Sequence, residues 1–269
     1  MQSLQGDDYT PSMPELCLFC DNPAGSREHF WPAWIHRRHD FGPLRVQKGT
    51  GPEVIDPSPE RTVDTVCREC NNGWMSRLEE KNVPALGTML DNGSFVIDAG
   101  RQRLLCEWAV MKTMLNDSDR EGGPRFYTRQ ESASMRLCQQ IPARTRLWIC
   151  ALNELHLGAF GTDFVALDGY GKTRLGMGSV TTIVVGHFGI QVVTMHINDE
   201  YEAKVPADQP IPVDWPEMLI PMKLGNNKNL SWPPQAPFTN GGPLGIAYLM
   251  ERWRVGDKVA MITKDGIVE

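Results

Sequence analysis

Two Cys-x-x-Cys pairs, Cys17/Cys20 and Cys67/Cys70, constrain this 269-residue chain more than any other feature. With 46 residues between them, the pairs supply four thiolates, the tetrahedral set that zinc takes in structural sites. Four sulfurs leave no open coordination position, so such an ion staples the chain and does no chemistry itself. The remaining cysteines, Cys106, Cys138 and Cys150, stand alone in apolar surroundings and read as buried packing residues. Paired spacing with an odd total fits a metal knuckle in a reducing compartment better than a disulfide framework.

The knuckles divide the chain. Residues 1–15 are polar with two prolines and read as a flexible lead-in. Residues 16–82 hold both cysteine pairs and three of the six histidines, and read as one small unit. Inside it, the Gly- and Pro-rich stretch 42–61 reads as a loop between two halves. Trp74 and Leu78, spaced i, i+4, predict a short amphipathic helix over Asn71–Asn82, capped by Asn71 or Asn72 and broken by Pro84. Trp31, Trp34 and Trp74 read as a miniature core over the metal.

Residues 83–269 read as a mixed α+β domain of unassigned role: specificity, regulation, or assembly into a homo-oligomer. The apolar spacing in 101–117 predicts a buried-face helix, with Arg101, Arg103 and Lys112 on its solvated side. ASMRLCQQI predicts a second helix and 144–152 a strand. Residues 179–197 predict a β-hairpin turning near Gly186–Gly189, and GIAYLMERW a final helix. His156, His187 and His196 read as ordinary strand or turn residues. The fold class expected for the whole chain is α+β.

Hydrophobic residues at 41% and charged residues at 22% are the proportions of a soluble globular protein. No apolar run is long enough for a membrane-spanning helix. The first residues lack the basic and then apolar run of a secretion signal, so a cytoplasmic location is expected. The net charge of −6 argues against a protein that coats nucleic acid. The first ninety residues repeat that balance, with nine Lys and Arg against thirteen Asp and Glu. A local basic strip remains available in Arg27, Arg37, Arg38 and Arg45.

The residues just past each knuckle carry the chemistry. Glu28-His29 lies shortly after Cys20, and Asn71-Asn72 directly after Cys70. Clasping the knuckles brings a carboxylate, an imidazole and two amides toward one place. A neutral imidazole can take a proton from an attacking water. A carboxylate and an amide oxygen suit Mg²⁺ or Mn²⁺, which stabilises charge growing on a scissile phosphate. Blander readings exist for each residue: His29 packed among Phe30, Trp31 and Trp34; Glu28 a surface carboxylate paired with Arg27 or Arg37; Asn71-Asn72 a helix cap. His36 and His39 have a spacing open to metal, though their Arg-rich setting suits phosphate or solvent better.

Cys17, Cys20, Glu28, His29, Pro32, Cys67, Cys70, Asn71 and Asn72 form a C-x-x-C…E-H-x-x-P…C-x-x-C-N-N pattern that resembles the zinc-finger-bearing HNH, or ββα-metal, endonucleases. The resemblance covers roughly residues 16–82. It implies a metal-dependent hydrolase that cleaves phosphodiester bonds in DNA, or in RNA, with structural Zn²⁺ and catalytic Mg²⁺ or Mn²⁺. By position His29 resembles the general base, Glu28 the carboxylate ligand of the catalytic cation, and Asn72 or Asn71 the ligand at the helix start. Arg27, Arg37 and Arg38 would contact nucleic acid. The sequence departs from the family at Thr62, where a middle Asn is usual, and at Glu28, where Asp is commoner. A non-catalytic zinc module that binds nucleic acid or protein is the alternative.

Overall fold

The computed structural model describes residues 15–46, 54–56, 60–119, 124–167, 172–204, 218–222, 225, 228–237, 252–255, 258–263 and 266–268. The lead-in expected over 1–15 lies outside this set except for Glu15.

Two strands frame the N-terminal part. β1 (Ser26–His29) and β4 (Thr62–Val66) are antiparallel and pair Glu28 with Val63 and His29 with Thr62. Between them run α1 (Ala33–Arg38) and a small ribbon in which β2 (Leu44–Val46) pairs with β3 (Val54–Asp56). The stretch expected to be a loop therefore contains strands. Three residues each are too few to display a period of two.

Past β4 the chain forms α2 (Arg68–Cys70), one wide π-turn (Asn71–Met75) and α3 (Ser76–Leu90). In the π-turn the Ser76 N–H reaches Asn71 O, and Gly73 (φ −101°, ψ −107°) leaves the helical region. Pro84 does not end the helix as expected; α3 continues to Leu90. An interior proline costs about 3 kcal/mol. Burial of Leu78, Ala85, Leu86, Met89 and Leu90 along one stripe offsets that cost, and the exposed Pro84 and Glu80 leave the freed carbonyl open to water.

α4 (Ala99–Ser118) is the central element, and the Asp98 carboxylate caps it by accepting the Arg101 N–H. Leu105, Trp108, Ala109, Met111, Met114 and Leu115 are all fully enclosed. Elements pack around α4 on every side, so Lys112 is fully buried too and does not lie on a solvated face. α5 (Arg129–Cys138) starts in a capping box, with Thr128 and Glu131 each bonded to the other's backbone N–H. Ser132 and Met135 are its buried residues, and Cys138, in the last turn beyond them, is exposed rather than buried. Cys106 and Cys150 are buried as expected.

β5 (Phe95–Ile97) precedes α4 and pairs with β9 (Leu230–Trp232). β6 (Thr145–Leu167) and β7 (Arg174–Ile197) form a long antiparallel ribbon from Thr145↔Thr194 to Leu167↔Arg174, and β8 (Ile220–Met222) adds to the outer side of β6. The chain reverses between Leu167 and Arg174, not at Gly186–Gly189 as expected. Gly186 (φ +63°) sits instead at a bulge, where the register jumps from Ala151↔Phe188 to His156↔Gly186. Its missing Cβ matters, because a carbon there would lie 2.7 Å from Leu90 Cγ and Leu90 O. β10 (Arg252–Val255), β11 (Lys258–Thr263) and β12 (Gly266–Val268) form a meander. Most of the helix expected at GIAYLMERW lies outside the described residues, and its Arg252 and Trp253 belong to β10.

All described strand pairs are antiparallel, so the chain is a mixed α+β protein. One hydrophobic core runs from Phe19, Trp31 and Trp74 through α3 and α4 to Phe188 and Trp232. The boundary expected at residue 83 falls inside α3. Among the described residues no helix is long and apolar enough to cross a membrane.

Candidate metal centre and adjoining site

Cys17, Cys20, Cys67 and Cys70 are buried together, and their sulfurs all lie within 4.8 Å of one another. Cys20 Sγ is 3.5 Å from Cys67 Sγ and 3.6 Å from Cys70 Sγ. A tetrahedron with metal–sulfur bonds of about 2.3 Å has sulfur–sulfur edges of about 3.8 Å. The four thiols are thus positioned to bind a metal ion, and their softness and geometry are consistent with structural zinc. Backbone N–H groups support two of the sulfurs: Phe19 N–H donates to Cys17 Sγ and Cys70 N–H to Cys67 Sγ, each at 3.4 Å. The Cys70 thiol beside it draws the Cys17 pKa far below its ordinary value, whereas burial raises that of Cys20.

The knuckles are tied to each other and to α5. Asn22 Nδ2 donates to Glu69 Oε2 at 2.8 Å. Arg129 donates to Cys17 O and, at 2.7 Å, to Asp21 Oδ1. Trp74 packs edge-on against Phe19, with ring centroids 4.9 Å apart, and Trp31 is buried while Trp34 is half-buried. Trp31 and Trp74 belong to the common core, with Trp34 packed against it, and not to a separate small one.

Clasping Cys67 and Cys70 to Cys17 and Cys20 seats the π-turn against β1. Asn71 Nδ2 donates to Ser26 Oγ at 2.8 Å, while the Asn72 side chain is exposed. Ser26 and Glu28 share the inner face of β1, and Arg27 and His29 point outward. The His29 side chain is 47% exposed and is not sealed among the neighbouring aromatic rings; its Nε2 lies 3.6 Å from Glu60 Oε2. Thr62 is the registered partner of His29.

Glu28 is neither a surface group nor paired with Arg27 or Arg37. It is buried, with Oε1 3.7 Å from Lys112 Nζ. Lys112 Nζ also lies 2.5 Å from Glu79 Oε1 and 5.5 Å from the Phe30 ring centroid. Burial pushes the Glu28 carboxyl up to about 7, against the opposing pull of Lys112. Two carboxylates face one ammonium, so the second negative charge stands without a counterion only when Glu28 is ionised. The 3.7 Å contact between Glu28 and Lys112 is an ion pair, longer than a hydrogen bond.

Of the expected basic strip, Arg27 and Arg37 are exposed, and the Arg45 side chain lies outside what is described. Arg38 is taken by Asp91, its Nε lying 2.9 Å from both carboxylate oxygens. His39 Nε2 lies 2.8 Å from Asp91 Oδ1, and His36 packs edge-on against Phe41, so these two histidines do not converge on one metal position. Glu60, Glu79 and Lys112 escape a reading of the sequence. Lys112 does carry a signal: it falls four residues after Trp108 and seven after Leu105, on the apolar stripe of its helix.

Comparison with protein-family models, curated proteins and solved structures finds no match to this chain.

Proposed function

We propose that the N-terminal part of this chain is a zinc-stapled HNH-type endonuclease module that hydrolyses phosphodiester bonds in DNA. The observation that carries this reading is the Asn71–Ser26 contact. It joins the helix start beyond the second knuckle to the strand that bears Glu28 and His29.

His29 is the general base. With Nε2 toward Glu60, Nδ1 is the nitrogen left to accept a proton from the attacking water. Glu60 is the carboxylate nearest to that ring on the pairing side. The donor set suits a hard divalent cation: Glu28 supplies a carboxylate on the same face of β1 as Ser26, and Asn71 an amide oxygen whose partner nitrogen is already committed to Ser26. Asn71 is preferred to the exposed Asn72 on that ground. Mg²⁺ or Mn²⁺ at these residues would supply charge stabilisation at the scissile phosphate and leaving oxygen. Arg27 and Arg37, on the exposed side of the module, serve phosphate contact.

Cleavage of plasmid DNA with Mg²⁺ or Mn²⁺ tests the reading. The full chain cuts, and His29→Ala abolishes cutting while zinc content and fold are kept. Equal cutting by both proteins ends the general-base assignment. Running the assay with single-stranded RNA separates the two polymers.

A second reading has its own support, because Lys112 already sits against Glu28 and Asp91 occupies Arg38. On that reading the unit is a zinc module that binds nucleic acid or protein without cleaving. Absence of cutting by the wild type under both metals would select it.

A further inference from the structure

The cation reading of Glu28 leaves one group unexplained: a lysine from outside the motif, fully enclosed, lies beside the carboxylate a divalent ion would use. Burying an ammonium is costly unless it is paired. Lys112 is paired more closely with Glu79, at 2.5 Å, than with Glu28, at 3.7 Å. α3 and α4 thus place the ammonium nearer to Glu79, and Glu28 receives only part of its field. Arg61, the other cation over Phe30, is turned away from the pair: it bonds Asn116 Oδ1 at 3.0 Å and Asp119 Oδ2 at 2.7 Å.

Resting on the function proposed above, we propose that Lys112 is a built-in cation that positions Glu28 and competes with the divalent ion for it, so that the Lys112–Glu79 pair sets the affinity of the site. An ammonium that cannot leave repels a divalent ion arriving at Glu28. The ion is therefore held weakly until the phosphate of a substrate adds its own negative charge. The device makes metal occupancy depend on nucleic acid.

The charge arithmetic gives opposite signs for two substitutions. Lys112→Met keeps the volume of the stem and leaves two carboxylates without their cation, so at an alkaline pH that keeps Glu28 ionised, where all the titrations are made, divalent affinity rises. Glu79→Gln leaves Lys112 wholly to Glu28, so affinity falls. A lysine that merely filled space would weaken the site, or leave it unchanged, when replaced; only a competing charge tightens it.

The test is titration of Mn²⁺ into the zinc-loaded full chain, with free Mn²⁺ read by electron paramagnetic resonance, and with Glu28→Gln identifying the site. Mn²⁺ should bind at least tenfold more tightly to Lys112→Met than to wild type, and at least tenfold more weakly to Glu79→Gln. Binding by Lys112→Met where wild type shows none supports the proposal equally. A Glu28-dependent site of the same affinity in wild type and Lys112→Met overturns it and leaves the nuclease reading standing. If Lys112→Met does not fold, unchanged or tighter binding by Glu79→Gln overturns it instead. No Glu28-dependent Mn²⁺ site in wild type or in Lys112→Met removes the cation reading itself, and the proposal with it.

Discussion

Glu28 should make the stability of the metal-free site depend on pH in a direction opposite to most carboxylates. Its folded-state pKa is raised from 4.5 to about 7 because burial outweighs the pull of Lys112. The folded state therefore holds this proton more tightly than the unfolded chain does. Stability is lost as pH rises from the unfolded value toward the folded one, and the loss is complete above it. Each unit of difference corresponds to about 1.4 kcal/mol, so the penalty is about 1 kcal/mol at pH 5.5 and about 3 kcal/mol at pH 8. Glu28→Gln, neutral at every pH and of the same shape, removes the penalty. Urea unfolding of both proteins at the two pH values, with zinc retained and no other divalent salt, isolates the effect. Protonation of the thiolates acts on both proteins alike and cancels in the difference. The stability of Glu28→Gln relative to wild type should improve by about 2 kcal/mol on going from pH 5.5 to pH 8. A difference that stays constant, or narrows, with rising pH would show that Glu28 is ionised without cost in the folded protein.

Two further outcomes rest on the packing. Cys67→Ser should lose the metal and, because one core links the knuckles to α4 and β7, should melt the environment of Trp108 and Trp232 as well as of Trp31 and Trp74; near-ultraviolet circular dichroism of the variant reads this, and a retained spectrum around a metal-free cluster would refute the staple. Gly186→Ala should cost about 2–4 kcal/mol in urea unfolding, since a side chain at φ +63° meets both strain and Leu90, and a cost below about 0.5 kcal/mol would mean that the bulge relaxes freely.

The metal cluster is legible in the sequence because its information is local: a two-residue gap puts both thiols of a knuckle on one turn. α4 and α5 are legible for the same reason, through an apolar period and a capping box. The Glu28 environment is not. Its partner Lys112 comes from a helix of the C-terminal segment, and composition alone assigns a lysine to water. Periodicity places Lys112 on the buried stripe, so the two signals conflict; the geometry sides with periodicity because Glu79 and Glu28 are there to pair it. The ribbon departs from expectation for a different reason. A glycine in a strand-forming run signals a turn or a bulge equally well, and only the position of Leu90 on another element decides between them.

Both departures have one physical cause, contact with a distant element, and it bears on what the long C-terminal segment is for. A unit of residues 16–82 holding its own core would keep Glu28 at a solvent boundary, where its charge would be set by water. Here Phe30 lies against Arg61 and Lys112, Thr65 Oγ1 bonds Ser118 Oγ at 2.7 Å, and Arg61 reaches Asn116 and Asp119. α4 is therefore the floor of the Glu28 site. The thiolate cluster fixes where the helix start meets β1, and α4 fixes the electrostatic environment of the carboxylate that β1 carries. Neither can replace the other, since a metal-bound cluster without α4 would leave Glu28 solvated, and α4 without the cluster would have no strand to receive. The C-terminal segment thus reaches Glu28 directly, through Lys112.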